Sequence, residues 1–80
     1  MNGILSLPIL DASGFHGEVS EGVRLFMVDY RAPGSDADDE TALKSIEERA
    51  SRDGLVPFKI GAIESEQSFG RVRTIVALAK

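Results

Sequence analysis

Eighty residues and 8.6 kDa make one domain, and a chain this short buries only about 60–65% of its unfolded surface, so its core is thin. With 13 acids against 9 bases, a net charge of −4 and no cysteine, the composition opposes a general basic nucleic-acid protein and excludes a disulfide scaffold or thiolate metal centre. No apolar run is long enough to span a bilayer, and the opening MNGILSLPILDASG lacks the basic start of a signal peptide, so the expected compartment is the cytoplasm.

Residues 3–10 (GILSLPIL) are short and apolar. Pro8 cannot donate to a ladder, so the stretch predicts an edge strand or one that breaks at the proline. Residues 11–22 carry Gly14, Gly17 and Gly22 and predict a long loop or a flexible hairpin connection. Residues 22–32 (GVRLFMVDYRA), rich in β-branched and aromatic side chains, predict the strongest strand, and residues 32–35 (APGS) a turn.

Residues 36–52 predict the single helix, for which every terminal signal agrees. Ser35 or Asp36 can cap it, with Asp38 or Asp39 closing a capping-box-like pair. Acids crowd the first turns, where the helix dipole favours them, Arg49 and Arg52 occupy the last turn, and Gly54 stands at the stop. Its apolar face is the narrow stripe Ala42, Leu43, Ile46 and Ala50. Beyond it, residues 56–63 predict a strand with Val56, Phe58, Ile60 and Ala62 on one face, residues 64–70 a turn, and residues 70–79 a strand with Val72, Thr74, Val76 and Leu78 on one face. The expectation is an α+β domain of order ββαββ: a four-stranded, mostly antiparallel sheet with one helix packed on one face.

One helix covers one face, yet the second strand is apolar on both: Val23, Leu25 and Met27 on one side, Phe26, Val28 and Tyr30 on the other. The last strand repeats this with Ile75 and Ala77 opposite Val76 and Leu78. A wet face would alternate with polar residues, so something covers the second face. The candidates are the segment 11–22 folding back, a second copy of the chain, or a partner.

Side chains that suggest chemistry do not assemble into a reaction centre. His16, with Asp11, Ser13 and Glu18, lies on a glycine-rich loop rather than the rigid scaffold a triad needs. Asp36, Asp38, Glu40 and Glu47 match the carboxylate spacing of a calcium loop, but Thr41 stands where the sharp turn requires glycine, and the stretch reads as helix. Gly14 and Gly17 form no phosphate cradle, and Glu64 and Glu66 lie in a polar turn where nothing would tune them as an acid–base pair. The expectation is therefore no catalytic residue, no metal, no cofactor and no enzyme.

Charge is concentrated in one element. Asp36, Asp38, Asp39, Glu40, Glu47, Glu48 and Asp53 stand against Lys44, Arg49 and Arg52, so this stretch carries the whole net charge of −4. The expected function is a small acidic protein-binding module that acts by occupying a partner's basic surface, using Asp36, Asp38, Asp39, Glu40 and Glu48. Phe26, Val28, Tyr30, Ile75, Arg71 and Arg73 form the expected self-association or partner face, making a homodimer an expected state. Two alternatives share that face: single-stranded RNA bound on Phe26 and Tyr30 between Arg24, Arg71 and Arg73, or a purely structural homodimeric domain. Small size, acidity and lack of cysteine are shared with inhibitors encoded by phages and mobile elements, the anti-CRISPR proteins included. That likeness is one of size and charge, and no residue motif carries it.

Overall fold

In the computed structural model, which describes residues 3–32 and 35–80, a 3₁₀ turn (Gly3–Ser6) leads into strand β1 (Ile9–Asp11) and a second 3₁₀ turn (Phe15–Glu18). Strand β2 (Arg24–Arg31), helix α1 (Asp36–Arg52), strand β3 (Pro57–Gln67) and strand β4 (Gly70–Ala79) follow. The sheet is mixed but mostly antiparallel, in the order β1-β3-β4-β2, with β1 parallel to β3. This is the expected α+β class with the expected order of elements. Because β2 and β3 both run antiparallel to β4, they are parallel to each other, and α1 is the crossover of a split β-α-β unit with β4 inserted between its strands.

Helix α1 has the predicted boundaries. The Ser35 hydroxyl accepts from the Asp38 N–H at 3.3 Å and the Asp38 carboxylate accepts from the Ser35 N–H at 2.8 Å, a complete capping box. At the other end Gly54, at φ +73°, allows Leu55 N–H to reach Ala50 O and Gly54 N–H to reach Ser51 O, a Schellman stop. Ser35→Ala is expected to cost about 1 kcal/mol, read as a lower urea midpoint with unchanged slope. The buried residues of α1 are the predicted Ala42, Leu43, Ile46 and Ala50. They pack on Phe26, Ile60, Ile75, Ala77 and Ala79 of the sheet, with Ile4 filling the flank.

Residues 3–10 break at Pro8, one of the two expected outcomes, leaving the first 3₁₀ turn and only a short β1 at the sheet edge. Two strand boundaries differ from expectation. The predicted turn at 64–70 shrinks to Ser68 and Phe69, because β3 continues to Gln67 with Glu64 opposite Arg73 and Glu66 opposite Arg71. That extension is polar on both faces, so hydrophobic alternation could not reveal it. At the start of β3 a register shift between Pro57 and Lys59 leaves Phe58 outside the alternation, half-exposed beneath the Lys80 ammonium rather than in line with Ile60 and Ala62. The predicted turn at 32–35 includes Pro33 and Gly34, which lie outside the described residues.

The segment after β1 folds back over the second sheet face. Ala12 and Phe15 are buried against Val76 and Leu78, with Val23, Leu25 and Ile63 packed around them. Lys59 lies over the outer side of the Phe15 ring and is tied to Glu18 by a 2.8 Å ion pair. Of the three candidate covers for this face, the chain's own loop supplies the one over Val76 and Leu78. Farther along the face, Met27 remains 49% exposed and Phe69, under Arg31, 61%. Every buried side chain among the described residues is hydrophobic.

Candidate functional site

The residues expected to form an open apolar face lie under the helix instead. Phe26 is 9% exposed and Ile75 fully buried, and Val28 and Tyr30 pack against the same cluster. The parity of β2 decides this: Phe26, Val28 and Tyr30 point toward α1, while Leu25 and Met27 point to the far side. The Phe26 ring is thereby closed to stacking by a base, the half-buried Tyr30 is turned to Asp39, and the arginines beside them are engaged. Arg24 pairs with Asp53, and Arg71 with Glu66 at 3.1 Å.

Arg73 belongs to a polar network at the edge of the core. Its Nε and Nη2 donate to the two carboxylate oxygens of Asp39 at 3.0 and 3.1 Å, its Nη1 to Glu64 at 3.3 Å, and the Tyr30 hydroxyl donates to Asp39. The Asp39 side chain is 16% exposed and that of Arg73 23%. Burial opposes ionisation of Asp39, but the Arg73 hydrogen bonds, then that from Tyr30, then the Arg73 charge hold its carboxyl below the ordinary carboxylate value. Burial first, then the hydrogen bond and charge of Asp39, push the Tyr30 phenol up to about 12. The hydrogen bonds to Asp39 raise Arg73 above its already high ordinary value. Asp39 is therefore committed inward, and this corrects its placement among the outward acids of the helix. Asp38 is exposed but closes the cap, whereas Asp36, Glu40 and Glu48 are exposed without an ion-pair partner among the described residues.

The loop residues around His16 are similarly dispersed. The Asp11 carboxylate accepts the Ser13 N–H at 3.1 Å, Glu18 pairs with Lys59, and His16 is exposed on the second 3₁₀ turn. Glu64 and Glu66 face arginines across the hairpin. Among the described residues no group of three or more His, Cys, Asp or Glu is placed to hold a metal ion, and no helix is long and apolar enough to cross a membrane.

What the fold does assemble is a groove along the β1 side of α1. Leu7, Ile9 and Leu43 supply its apolar lining, Asp36, Asp39 and Glu40 its acidic rim, and its volume is about 310 Å³. With Asp39 turned to Arg73, the free carboxylates at the rim are Asp36 and Glu40. A second depression of about 440 Å³ continues the same flank, lined by Glu47, Glu48, Ser51, Leu55, Val56 and Pro57. Between the two, the Glu47 carboxylate accepts the Ile4 N–H at 3.1 Å and pins the first 3₁₀ turn against the helix. Lys44 lies one turn from both Glu40 and Glu48 but lines neither depression. A strand over residues 3–10, as the sequence predicts, does not by itself place Leu7 and Ile9 beside the helix. Only the break at Pro8 and the parallel pairing of β1 bring them beside α1.

Comparison with protein-family models, curated proteins and solved structures finds no match to this chain.

Proposed function

We propose that the chain is a non-catalytic protein-binding module that accepts a basic, partly apolar segment of a partner in the groove between α1 and β1. The supporting observation is the combination in one concavity of an apolar lining (Leu7, Ile9, Leu43) with two free carboxylates, Asp36 and Glu40. An arginine or lysine fits such a site with its stem on the apolar wall and its charge at the rim. Glu48 extends the acidic flank toward the second depression. Engaging a partner's cationic residues is also a route to inhibition: carboxylates at surface spacing compete for the groups that would otherwise neutralise nucleic-acid phosphates.

A synthetic peptide of arginines and leucines, titrated calorimetrically, tests the reading. The double reversal Asp36→Lys/Glu40→Lys is expected to weaken binding at least about tenfold while the helical circular dichroism is retained, and salt is expected to weaken the wild-type interaction. Equal affinity of the reversed and wild-type proteins would overturn it.

A further inference from the structure

The opposite flank of α1 carries a second, independent feature. Strand β2 is an edge of the sheet and, at eight residues, far longer than the three-residue edge β1. The Ala32 N–H bonds Arg71 O, so the even-numbered residues of β2 turn their backbone polar groups toward β4. Leu25, Met27, Asp29 and Arg31 turn theirs outward. One of these, the Met27 carbonyl, accepts from Arg49 Nη1 at 3.3 Å. Above the edge runs a groove of about 240 Å³ lined by Val28, Tyr30, Asp38, Thr41, Ala42 and Ser45. An exposed ladder beside an apolar groove is the geometry of strand addition.

We infer that the occupant is a second copy of this chain, joined through β2 and α1 about a two-fold axis at Val28. Charge selects it. The groove has an anion, Asp38, toward one end and a cation, Arg49, beyond the other. A two-fold axis through its middle makes the helices antiparallel and brings each Arg49 to Asp38 of the other copy. The strands choose the same centre independently. Pairing all four outward residues sets Leu25 against Arg31 and Met27 against Asp29 of the second copy, and that register centres on Val28, which itself lines the groove. Helix α1 packs over β2 and β4, so closing the ladder at about 4.8 Å leaves the two helices about 10 Å apart, a packing distance that Thr41, Ala42 and Ser45 suit. Both half-exposed Met27 side chains then meet near the axis on the far face. In the single chain Arg49 guards the edge; in the pair it is released to Asp38. The acidic groove on the β1 side stays open in this dimer, so the inference does not depend on the proposed function.

The chain lacks cysteine, which permits a clean cross-linking test. Val28 faces its own copy in a non-hydrogen-bonded pair, where Cα atoms lie about 4.5 Å apart, within disulfide range. Val28→Cys is expected to form a covalent dimer under mild oxidation while Ser65→Cys, on the far hairpin, stays monomeric. Light scattering over about a hundredfold concentration range is expected to show a dimer that Arg49→Glu, still folded by circular dichroism, weakens at least about tenfold. A wild-type monomer throughout would overturn the inference. So would a dimer that Val28→Cys fails to trap and Arg49→Glu leaves intact, since its interface would lie elsewhere.

Discussion

Gly61→Val is expected to unfold the domain at room temperature, and Gly61→Ala to lower its stability by about 2–3 kcal/mol. Gly61 lies on β3 between Leu10 and Val76, on the face that the returning loop covers. A Cβ there would meet Leu10 O at 2.8 Å, the Ala12 methyl at 2.9 Å and the Phe15 ring at 2.9 Å. The first of these is backbone, held in the parallel β1–β3 pairing, and cannot give way without loosening that ladder. If the loop lifted instead, Phe15, Val76 and Leu78 would return to water, at about 1.5–3 kcal/mol for each large side chain exposed. A domain of this length has about 4–12 kcal/mol in total, so the valine removes most or all of it. Urea denaturation followed by far-ultraviolet circular dichroism reads both variants. A Gly61→Val protein with the wild-type midpoint would show that Ala12 and Phe15 do not close this face.

The second large effect concerns Asp39 and Arg73. Arg73→Met is expected to cost about 2–3 kcal/mol, because it leaves a mostly buried carboxylate with Tyr30 as its remaining partner at that end of the helix. The same network sets a pH window. The Asp39 carboxyl is depressed in the folded chain, so its contribution is fully present above the unfolded carboxylate pKa of about 3.9 and is lost as pH falls through the lower folded value. Tyr30 is raised, so its contribution is present below the unfolded value of about 10 and is lost as pH rises through about 12. The chain has one tyrosine, so its phenolate absorbance reports this group alone. The wild-type midpoint is expected near 12, with Asp39→Asn moving it back toward 10. A midpoint near 10 in the wild type would mean that the phenol is neither desolvated at this edge of the core nor bonded to Asp39.

Local chemistry made much of this fold legible. The cap at Ser35 and Asp38, the stop at Gly54 and the stripe from Ala42 to Ala50 define α1 from neighbouring residues alone, and the alternation of Val72 to Leu78 defines β4. The doubly apolar character of β2 and β4 also signalled that the second face must be covered. What the residues did not reveal is which apolar set faces the helix. Parity along β2 places Phe26, Val28 and Tyr30 together, but only tertiary pairing decides that they lie under α1. The inward turn of Asp39 is of the same kind. On a helix wheel it stands beside Asp36 and Glu40, and only the register that sets Tyr30 against Arg73 explains why it is not offered to a partner. The groove is hidden in the sequence for a related reason, since Leu7 and Ile9 stand about thirty residues before Asp36 and Leu43, beside which they come to lie.

Amide chemical-shift mapping tests most directly whether the acidic groove beside β1 is the working surface. The labelled protein would be titrated with the arginine–leucine peptide and, separately, with a single-stranded oligonucleotide. The expected result is a set of peptide-induced shifts confined to Leu7, Ile9, Asp36, Glu40 and Leu43, suppressed by salt, with the oligonucleotide leaving those amides unmoved. Shifts centred instead on Met27, Arg31, Phe69 and Val72, or a response to the oligonucleotide alone, would contradict this and move the working surface to the far side of the sheet.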